Sequence, residues 1–250
     1  MIAATLTEGR TVIESAACEP EIADLANYLN ACGAQISGQG TPRLTIEGVD
    51  SLTGCEHTVS CDRIEAGTYM IAAAITNGDL ELQGACVDHM VAVVDRLRQV
   101  GAIIERQGDG VVVSSARRLE PIQITTQPYP GYPTDLQAQT MTLLCLADGN
   151  SVITEKIFPD RFLHVGELSR MGARLRKEGP TVTIQGVKRL VGAPVMASDL
   201  RASAALVLAG LIAKGTTRVQ RVYHIDRGYE RIEQKLAAVG ANIRRLDDKG

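Results

Sequence analysis

The most regular feature of this chain is a repeated pattern of apolar positions. A block of Leu, three residues, Gly, Ala, one residue, then Ile or Leu occurs four times. Before each block glycine the apolar residues recur at helical spacing, as they do up to Leu97. The block glycines are spaced 68, 71 and 68 residues apart, at Gly33, Gly101, Gly172 and Gly240. The pattern predicts one supersecondary unit present in four copies.

A second glycine keeps nearly the same period and precedes a β-type run in each copy, at Gly9, Gly78, Gly149 and Gly215. We expect an apolar helix to end at this glycine, because a residue without Cβ readily takes the left-handed C-cap conformation. A strand, the block helix and two further extended runs follow. Each unit is therefore predicted as strand, helix, strand, strand, with an α-helix joining it to the next unit.

Four amphipathic units of this kind predict an α/β (α+β) protein. The helices could pack inward with the sheets outside, or the units could stack as layers, and the period is consistent with both. Residues 1–9 resemble residues 70–78 but lack the polar segment that leads into the second copy, and the fourth copy lacks a second extended run. We expect the chain to begin within a repeat and to leave an open sheet edge that needs a partner.

Composition restricts the class of protein but does not indicate a function. With 250 residues, 45% of them hydrophobic, the chain is predicted to be globular, with one or two domains. No apolar run or leader pattern indicates a membrane segment, so a cytoplasmic protein is expected. Six cysteines without CxxC spacing favour buried thiols over metal ligands or disulfides. A net charge of −3 and the absence of Trp argue against nucleic-acid binding.

Candidate chemistry lies where the helices between units begin, because each start holds an aspartate: Asp62, Asp135 or Asp199. A helix cap explains such a residue. Asp135 differs because a proline-rich segment, 127–133, precedes it, and a rigid loop usually serves a site. Asp199 is close to Arg201, whose planar guanidinium could bind a phosphate or carboxylate, although a surface salt bridge explains the pair equally well.

Arg227 is a further candidate. It stands beside Gly228 in a charged segment, 223–231, which is predicted to bridge the last strand and the last helix. At a helix N-terminus, backbone donors and a guanidinium would converge on an anion. A solvated loop is an equally good interpretation of this segment.

Four segments together resemble a known family. They are YPGYPTDLQAQ (129–139), RFLHVGELSRMGA (161–173), MASDLRASAALVLAG (196–210) and YHIDRGYERIEQKLAAVGANI (223–243). In this order they resemble the UDP-N-acetylglucosamine enolpyruvyl transferases, and the resemblance runs from Met1 to about Arg245. The related enolpyruvyl transferases of the shikimate pathway share the repeats but match these segments less well.

The resemblance implies an inside-out α/β barrel architecture, with β-α-β-β units joined by α-helices, helices inside and sheets outside. The family has two domains of three units each, and four of its six repeats would be present here. Residues 1–60 would be the last repeat of an incomplete first domain. Residues 61–250 would be a three-repeat second domain that lacks its closing N-terminal strand.

The implied reaction moves the enolpyruvyl group of phosphoenolpyruvate to the 3-hydroxyl of UDP-N-acetylglucosamine and releases phosphate. It serves peptidoglycan precursor synthesis, and hence cell shape and division, and needs proton transfers and anion binding rather than a metal or cofactor. The matching catalytic residues are Asp135, as general base at the sugar hydroxyl, and Asp199. The matching binding residues are Arg201, Arg227 and Arg161 for phosphoenolpyruvate, and Ile157 and Phe158 beside the uracil.

The family's catalytic cysteine lies on a loop that would precede Met1, and none of the six cysteines here matches it. The chain alone is therefore expected to be weakly active or inactive. One alternative is a non-catalytic binding half or scaffold that needs the missing N-terminal segment or a second copy. Another is a shikimate-pathway enolpyruvyl transferase.

Overall fold

The computed structural model describes residues 1–115 and 118–246 of the chain. Residues 116–117 and 247–250, which fall in the predicted 61–250 domain, lie outside the described residues. The chain divides into two compact units. One comprises Met1–Cys61 with Pro128–Pro130, and the other comprises Asp62–Gln127 with Gly131–Gly250.

The first unit packs one helix face against an antiparallel sheet. Its elements are α1 (Ile2–Thr5), β1 (Arg10–Glu14), α2 (Pro20–Ala31), β2 (Gln35–Ser37) and β3 (Arg43–Glu47). The strand order is β1-β3-β2. In β3, Leu44 and Ile46 are buried, as alternation of side chains across a strand requires. They form a small core with Ala26 and Leu29 of α2.

The second unit contains the remaining helices and strands. Its helices are α3 (Arg63–Thr76), α4 (Val91–Val100), α5 (Gln137–Leu144), α6 (His164–Arg170), α7 (Leu200–Ile212) and α8 (Ile232–Ala238). Its strands are β4 (Leu80–Leu82), β5 (Ala102–Gln107), β6 (Gly110–Ser115), β7 (Gln123–Thr125), β8 (Asn150–Thr154), β9 (Arg174–Glu178), β10 (Thr181–Gln185), β11 (Pro194–Met196) and β12 (Arg218–Gln220). Short 3-10 helices form at Val87–Met90, Thr134–Leu136 and Val222–Arg227.

The sheets of this unit share one arrangement. In β4-β6-β5 and in β7-β8-β10-β9, the last strand of a repeat lies between its first two and pairs with both in antiparallel fashion. β7 joins β8 in parallel, and β11 pairs with β12 in parallel. The strands of the described residues form these separate sheets and no closed barrel. The fold is a mixed α+β fold, as expected.

Three helices form the centre of the second unit. Helices α3, α5 and α7 contact one another, and each is buried along most of its length. Every residue of α5 is buried, as are Ala202–Ala209 of α7. The buried stretch of α7 is almost entirely apolar, and a helix that is apolar on all sides is stable only in such surroundings. The N-termini of these helices carry the aspartates that the sequence singles out.

Of the two glycines in each repeat, the structure places the block glycine at the end of a helix but not the second glycine. All four block glycines follow a helix with positive φ, from +91° at Gly172 to +112° at Gly101. The prediction that an apolar helix ends at the second glycine is wrong. Helix α3 ends with Asn77 in the left-handed conformation, while Gly149 and Gly215 lie beyond the ends of α5 and α7. An Asn side chain tolerates this conformation, so the helix stops one residue early.

Two further differences concern strands. The sequence pattern missed β7 and β11, which are only three residues long and carry too few positions to show an alternation. In the fourth copy, an extended run was expected after Gly240, but residues 241–246 form no strand.

Gly186, which follows β10, is expected to tolerate no side chain. A Cβ at this position would lie 1.7 Å from the backbone oxygen of Ala147. Gly186→Ala should therefore lower the free energy of unfolding by about 2 kcal/mol, because the backbone must shift. Denaturant unfolding, monitored by circular dichroism, measures this change in the free energy of unfolding.

Gly166 supplies the matched control. It lies in α6, is exposed, and a Cβ there would meet nothing within 4 Å. Gly166→Ala should raise stability by about 0.5–1 kcal/mol through helix propensity. Equal effects of the two substitutions would contradict the packing described around Gly186.

Candidate active site

The three aspartates at the starts of α3, α5 and α7 have different roles. Asp62 Oδ1 accepts hydrogen bonds from the N–H groups of Ile64 and Glu65, and Asp199 Oδ1 accepts from Arg201 and Ala202. Both are helix caps, as the conservative interpretation held. Asp135 makes no such cap and lies within the 3-10 turn Thr134–Leu136. Its carboxylate is thereby available for other partners.

The partners of Asp135 are two arginines from different elements. Arg161 Nη1 donates to Oδ1 at 2.6 Å, and Arg201 Nη2 donates to Oδ2 at 2.9 Å. The Arg201 side chain is 12% exposed, that of Arg161 26% and that of Asp135 36%. The structure thus brings together three predicted site residues that are 26 and 66 positions apart.

Electrostatics keep this cluster charged. Burial raises the pKa of Asp135, but the charges of Arg201 and Arg161 and their hydrogen bonds outweigh burial and lower the pKa below its ordinary value. Burial lowers the pKa of Arg201, and the neighbouring Tyr229 and Asp135 more than offset this. Asp135 is therefore an ionised carboxylate at neutral pH.

The proline-rich loop before Asp135 is fixed at both ends. The N–H of Gln127 donates to the carbonyl of Tyr132 at 3.0 Å. The Tyr132 side chain is buried, and its hydroxyl forms a hydrogen bond with that of Thr140 in α5. These contacts hold the Asp135 backbone in place, as the prolines of a rigid loop predict.

Arg201 is oriented by a buried polar cluster around Tyr229. Its Nη1 donates to the Tyr229 hydroxyl oxygen at 3.3 Å, and its guanidinium lies 5.6 Å from the centre of that ring. Gln139 Nε2 also donates to this oxygen, at 3.1 Å. Because two donors point at the phenol oxygen, its proton is directed to Thr68 Oγ1, 2.9 Å away. Helices α3, α5 and α7 each contribute one member of this cluster.

Arg161 lies on the rim of an open pocket. Its guanidinium is 5.6 Å from the ring centre of Phe158, which is 57% exposed, and its Nη1 also donates to Thr134 Oγ1 at 3.2 Å. The pocket measures about 590 Å³ and is lined by Phe158, Pro159, Asp160, Arg161 and Asp199. The structure therefore places Asp199 and Phe158 beside the Asp135 cluster.

The remaining predicted site residues, Ile157 and Arg227, lie at the margins of the Asp135 cluster. The backbone N–H of Ile157 donates to a carboxylate oxygen of Glu155 at 2.8 Å. Arg227 is exposed, and among the described residues its side chain has no hydrogen-bond or ion-pair partner. Gly228 lies close to Leu200 and Arg201, since a Cβ there would be 3.0 Å from Leu200 Cδ2 and 3.7 Å from Arg201 Nη1. The expectation of a helix N-terminus at Arg227 is wrong: it ends a 3-10 helix, and α8 begins at Ile232.

Sequence reasoning missed four polar residues that support the site. They are fully or almost fully buried: Thr68, Gln139, Glu155 and Tyr229. The spacing of four residues between Asp135 and Gln139 was the available signal, since it places both on one helical face. Glu155 follows a strand in a polar segment, and nothing in the sequence marks it as buried.

No metal site accompanies this cluster. Within residues 1–115 and 118–246, no group of three or more His, Cys, Asp or Glu side chains is placed to hold a metal ion. The same residues contain no helix with the length and apolar character needed to cross a bilayer.

The fold and the cluster define the class of protein. The crystal structure of the enolpyruvyl transferase NikO from Streptomyces tendae superimposes with a TM-score of 0.88 at 27% identity, over 96% of this chain and 58% of that one. The EPSP synthase (3-phosphoshikimate 1-carboxyvinyltransferase) family model matches residues 1–236. The chain belongs to this family. An EPSP synthase from Acinetobacter baumannii shares the fold, with a TM-score of 0.77 at 20% identity, over 98% of this chain and 60% of its own.

Curated relatives are more similar in sequence. A UDP-N-acetylglucosamine 1-carboxyvinyltransferase of Nitratidesulfovibrio vulgaris (strain DP4) is 57% identical over 246 residues, 98% of this chain. One of Methylacidiphilum infernorum is 55% identical over 249 residues, 100% of this chain. The chain spans 59% of the length of each of these relatives.

His164, the first residue of α6, is expected to set an acid limit on stability. It is fully buried, and burial lowers its pKa from 6.5 to about 4, while Asp199 acts in the opposite direction. The unfolded chain takes up this proton first, so stability is lost as pH falls from 6.5 toward 4 and the loss levels off below that. The free energy of unfolding should fall by about 3 kcal/mol over this pH range, and His164→Gln should abolish this dependence on pH.

Urea unfolding at a series of pH values measures the effect. His89→Gln is the control, because it removes a histidine outside the site, and it should retain the wild-type pH curve. Identical curves for wild type and His164→Gln would contradict the buried neutral imidazole.

Proposed function

We propose that this chain forms the phosphoenolpyruvate-binding and proton-transfer part of an enolpyruvyl transferase acting on UDP-N-acetylglucosamine. The observation that carries the proposal is the identity of 57% over 98% of the chain to a UDP-N-acetylglucosamine 1-carboxyvinyltransferase. It favours this substrate over the shikimate-pathway acceptor, because two EPSP synthase structures from Acinetobacter baumannii are only 20% identical to this chain.

In the proposed reaction the sugar 3-hydroxyl oxygen bonds to C2 of phosphoenolpyruvate while C3 takes a proton. The bond from C2 to the phosphate oxygen then breaks, and C3 loses a proton to restore the double bond. The hydroxyl must lose its proton as it attacks, so a carboxylate within hydrogen-bond reach is required. Asp135 is the candidate for this base, because it is ionised and one-third exposed.

The pairing of Asp135 gives it a second property. While its oxygens accept hydrogen bonds from Arg161 and Arg201, its affinity for a proton is reduced. Phosphoenolpyruvate carries a phosphate and a carboxylate, for which the same guanidinium groups are good partners. We infer that the bound anion draws these N–H groups away from Asp135, so that its basicity rises when the donor substrate is present.

Arg201 and Arg161 are the proposed anion ligands, with Arg227 as a third. Arg201 and Arg161 are held by Tyr229 and by Thr134, which fixes the direction of their donors. The exposed Arg227 stands next to Gly228, which lies close to Leu200 and Arg201. The Arg227 side chain is free of partners among the described residues. Asp199 is proposed to assist proton transfer: its Oδ1 caps α7, and it lines the pocket with Arg161.

Phe158 and Ile157 are proposed to flank the uracil of the sugar nucleotide. The Phe158 ring is more than half exposed at the pocket rim, where a base can stack on it. The backbone N–H groups of Lys156, Ile157 and Phe158 donate to the side-chain oxygens of Thr126 and Glu155, which fixes the position of this ring. No cofactor is part of the proposal.

The finer architecture is also a proposal. The central position of α3, α5 and α7, with sheets packed on them, supports an inside-out arrangement of repeats with helices inside. We propose residues 1–60 and 61–250 as parts of two such domains, four repeats of six. The substrates would then meet parts of the protein that this chain does not contain. A cytoplasmic location and a role in cell-wall synthesis are part of the same proposal.

Turnover tests the proposal. The chain is combined with the part of the Nitratidesulfovibrio vulgaris relative that it does not cover, and phosphate release is measured with both substrates. Asp135→Asn should lower kcat by about 10²–10⁴, because the base is lost while its shape remains. Arg201→Lys should lower kcat/KM by roughly 10², because a point charge replaces a planar fork.

Arg176→Lys is the matched control, since Arg176 is an exposed residue of β9 that pairs with Glu178, and it should leave turnover unchanged. Binding of both substrates without turnover in the combined protein would favour a non-catalytic scaffold. Preference for a shikimate acceptor over UDP-N-acetylglucosamine would favour the shikimate-pathway alternative. Full activity of Asp135→Asn would exclude Asp135 as the base.

A further inference from the structure

Glu155 is a fully buried carboxylate immediately after β8, and both of its oxygens are occupied. Oε1 accepts from the Thr126 hydroxyl at 2.6 Å and from the backbone N–H groups of Ile157 at 2.8 Å and Phe158 at 3.1 Å. Oε2 accepts from the Thr134 hydroxyl at 2.8 Å. A buried carboxylate without such donors is strongly destabilising, so these four donors are what allow an acidic residue here.

The bonds of Glu155 reach two parts of the candidate site. Through Oε1 it holds the turn that carries Ile157 and Phe158. Through Oε2 it fixes the hydroxyl proton of Thr134, which leaves the Thr134 oxygen to accept from Arg161 Nη1 at 3.2 Å. The same Nη1 donates to Asp135 at 2.6 Å. The buried Glu155 side chain thus supports both the turn that carries Phe158 and the Asp135–Arg161 pair.

Thr126 completes the arrangement on the other side. Its hydroxyl donates to Glu155 and accepts from the N–H of Lys156 at 2.9 Å. The turn after β8 is therefore bonded at three successive backbone N–H groups, those of Lys156, Ile157 and Phe158. Such a turn has little freedom to move the Phe158 ring.

We propose that Glu155 is a positioning residue that sets the uracil-flanking turn and the Arg161 guanidinium relative to each other. It does so through hydrogen bonds and touches neither substrate. This role rests on the proposed function, which supplies the ligands for the two parts. The inference adds that binding of the sugar nucleotide and binding of phosphoenolpyruvate share one internal support.

Fluorine NMR reports on the turn without any substrate. The chain has two phenylalanines, so incorporation of 4-fluorophenylalanine gives two signals. Phe158 is exposed and Phe162 is 4% exposed, which makes Phe162 an internal reference. Glu155→Gln keeps the size of the side chain, removes its charge and replaces one acceptor oxygen with a donor NH2 group. It should shift or broaden the Phe158 signal and leave that of Phe162 in place.

Ligand binding tests the second link, by calorimetry on the combined protein used for turnover, with UDP-N-acetylglucosamine and phosphoenolpyruvate as separate probes. Glu155→Gln should weaken both affinities by about tenfold, the effect of leaving buried donors poorly paired. Thr134→Val keeps Glu155 and its bonds to the turn but breaks the link to Arg161. It should weaken phosphoenolpyruvate binding more than sugar-nucleotide binding.

Glu178→Gln is the matched control, because Glu178 lies exposed on β9 and should bind both probes as wild type does. If Glu155→Gln does not fold, Thr134→Val carries the test through its unequal effect on the two probes. Wild-type affinities for both probes in Glu155→Gln and Thr134→Val would overturn the inference. Failure of the wild type to bind either probe would instead contradict the proposed function, and the Phe158 signal would still decide the role of Glu155 in the turn.

Discussion

The ion pairs of Asp135 with Arg161 and Arg201 are the interaction on which this site depends. The repeat places an aspartate at the start of each central helix, and at Asp62 and Asp199 the backbone of that helix takes the carboxylate. At Asp135 the carboxylate turns instead toward two guanidinium groups. Of these three aspartates, Asp135 is the one that does not cap its helix, so its carboxylate is available for chemistry.

Each arginine reaches Asp135 because a separate set of contacts directs it. Arg201 lies in the first turn of α7, whose cap is Asp199, and it is oriented by the hydroxyl of Tyr229 at the centre of three helices. Arg161 precedes α6 and is oriented by Thr134, which in turn is bonded to Glu155. Removing one partner of such a partly buried ion pair would leave the other charge uncompensated, which is destabilising. The support around the pair therefore determines its geometry as much as the pair itself does.

The sequence predicted the α+β class and the period of the repeats because block glycines mark helix ends through a backbone requirement. It also identified Asp135, because the prolines before it restrict the chain locally. It could not predict that Asn77 ends α3 or that Arg227 ends a 3-10 helix, since both depend on a choice between neighbouring residues of similar propensity. Glu155 was missed for another reason: its burial arises from donors on three different segments, which no local pattern records.

In the proposed mechanism the two arginines hold Asp135 as a weak base until a bound anion competes with it for their N–H groups. A carbon-13 NMR titration of the Asp135 carboxyl, assigned by comparison with Asp135→Asn, measures this directly. The account predicts a pKa below the ordinary aspartate value in the free protein and a higher pKa when phosphoenolpyruvate is bound. A pKa at or above the ordinary value in the free protein, or one that the ligand leaves unchanged, would contradict it.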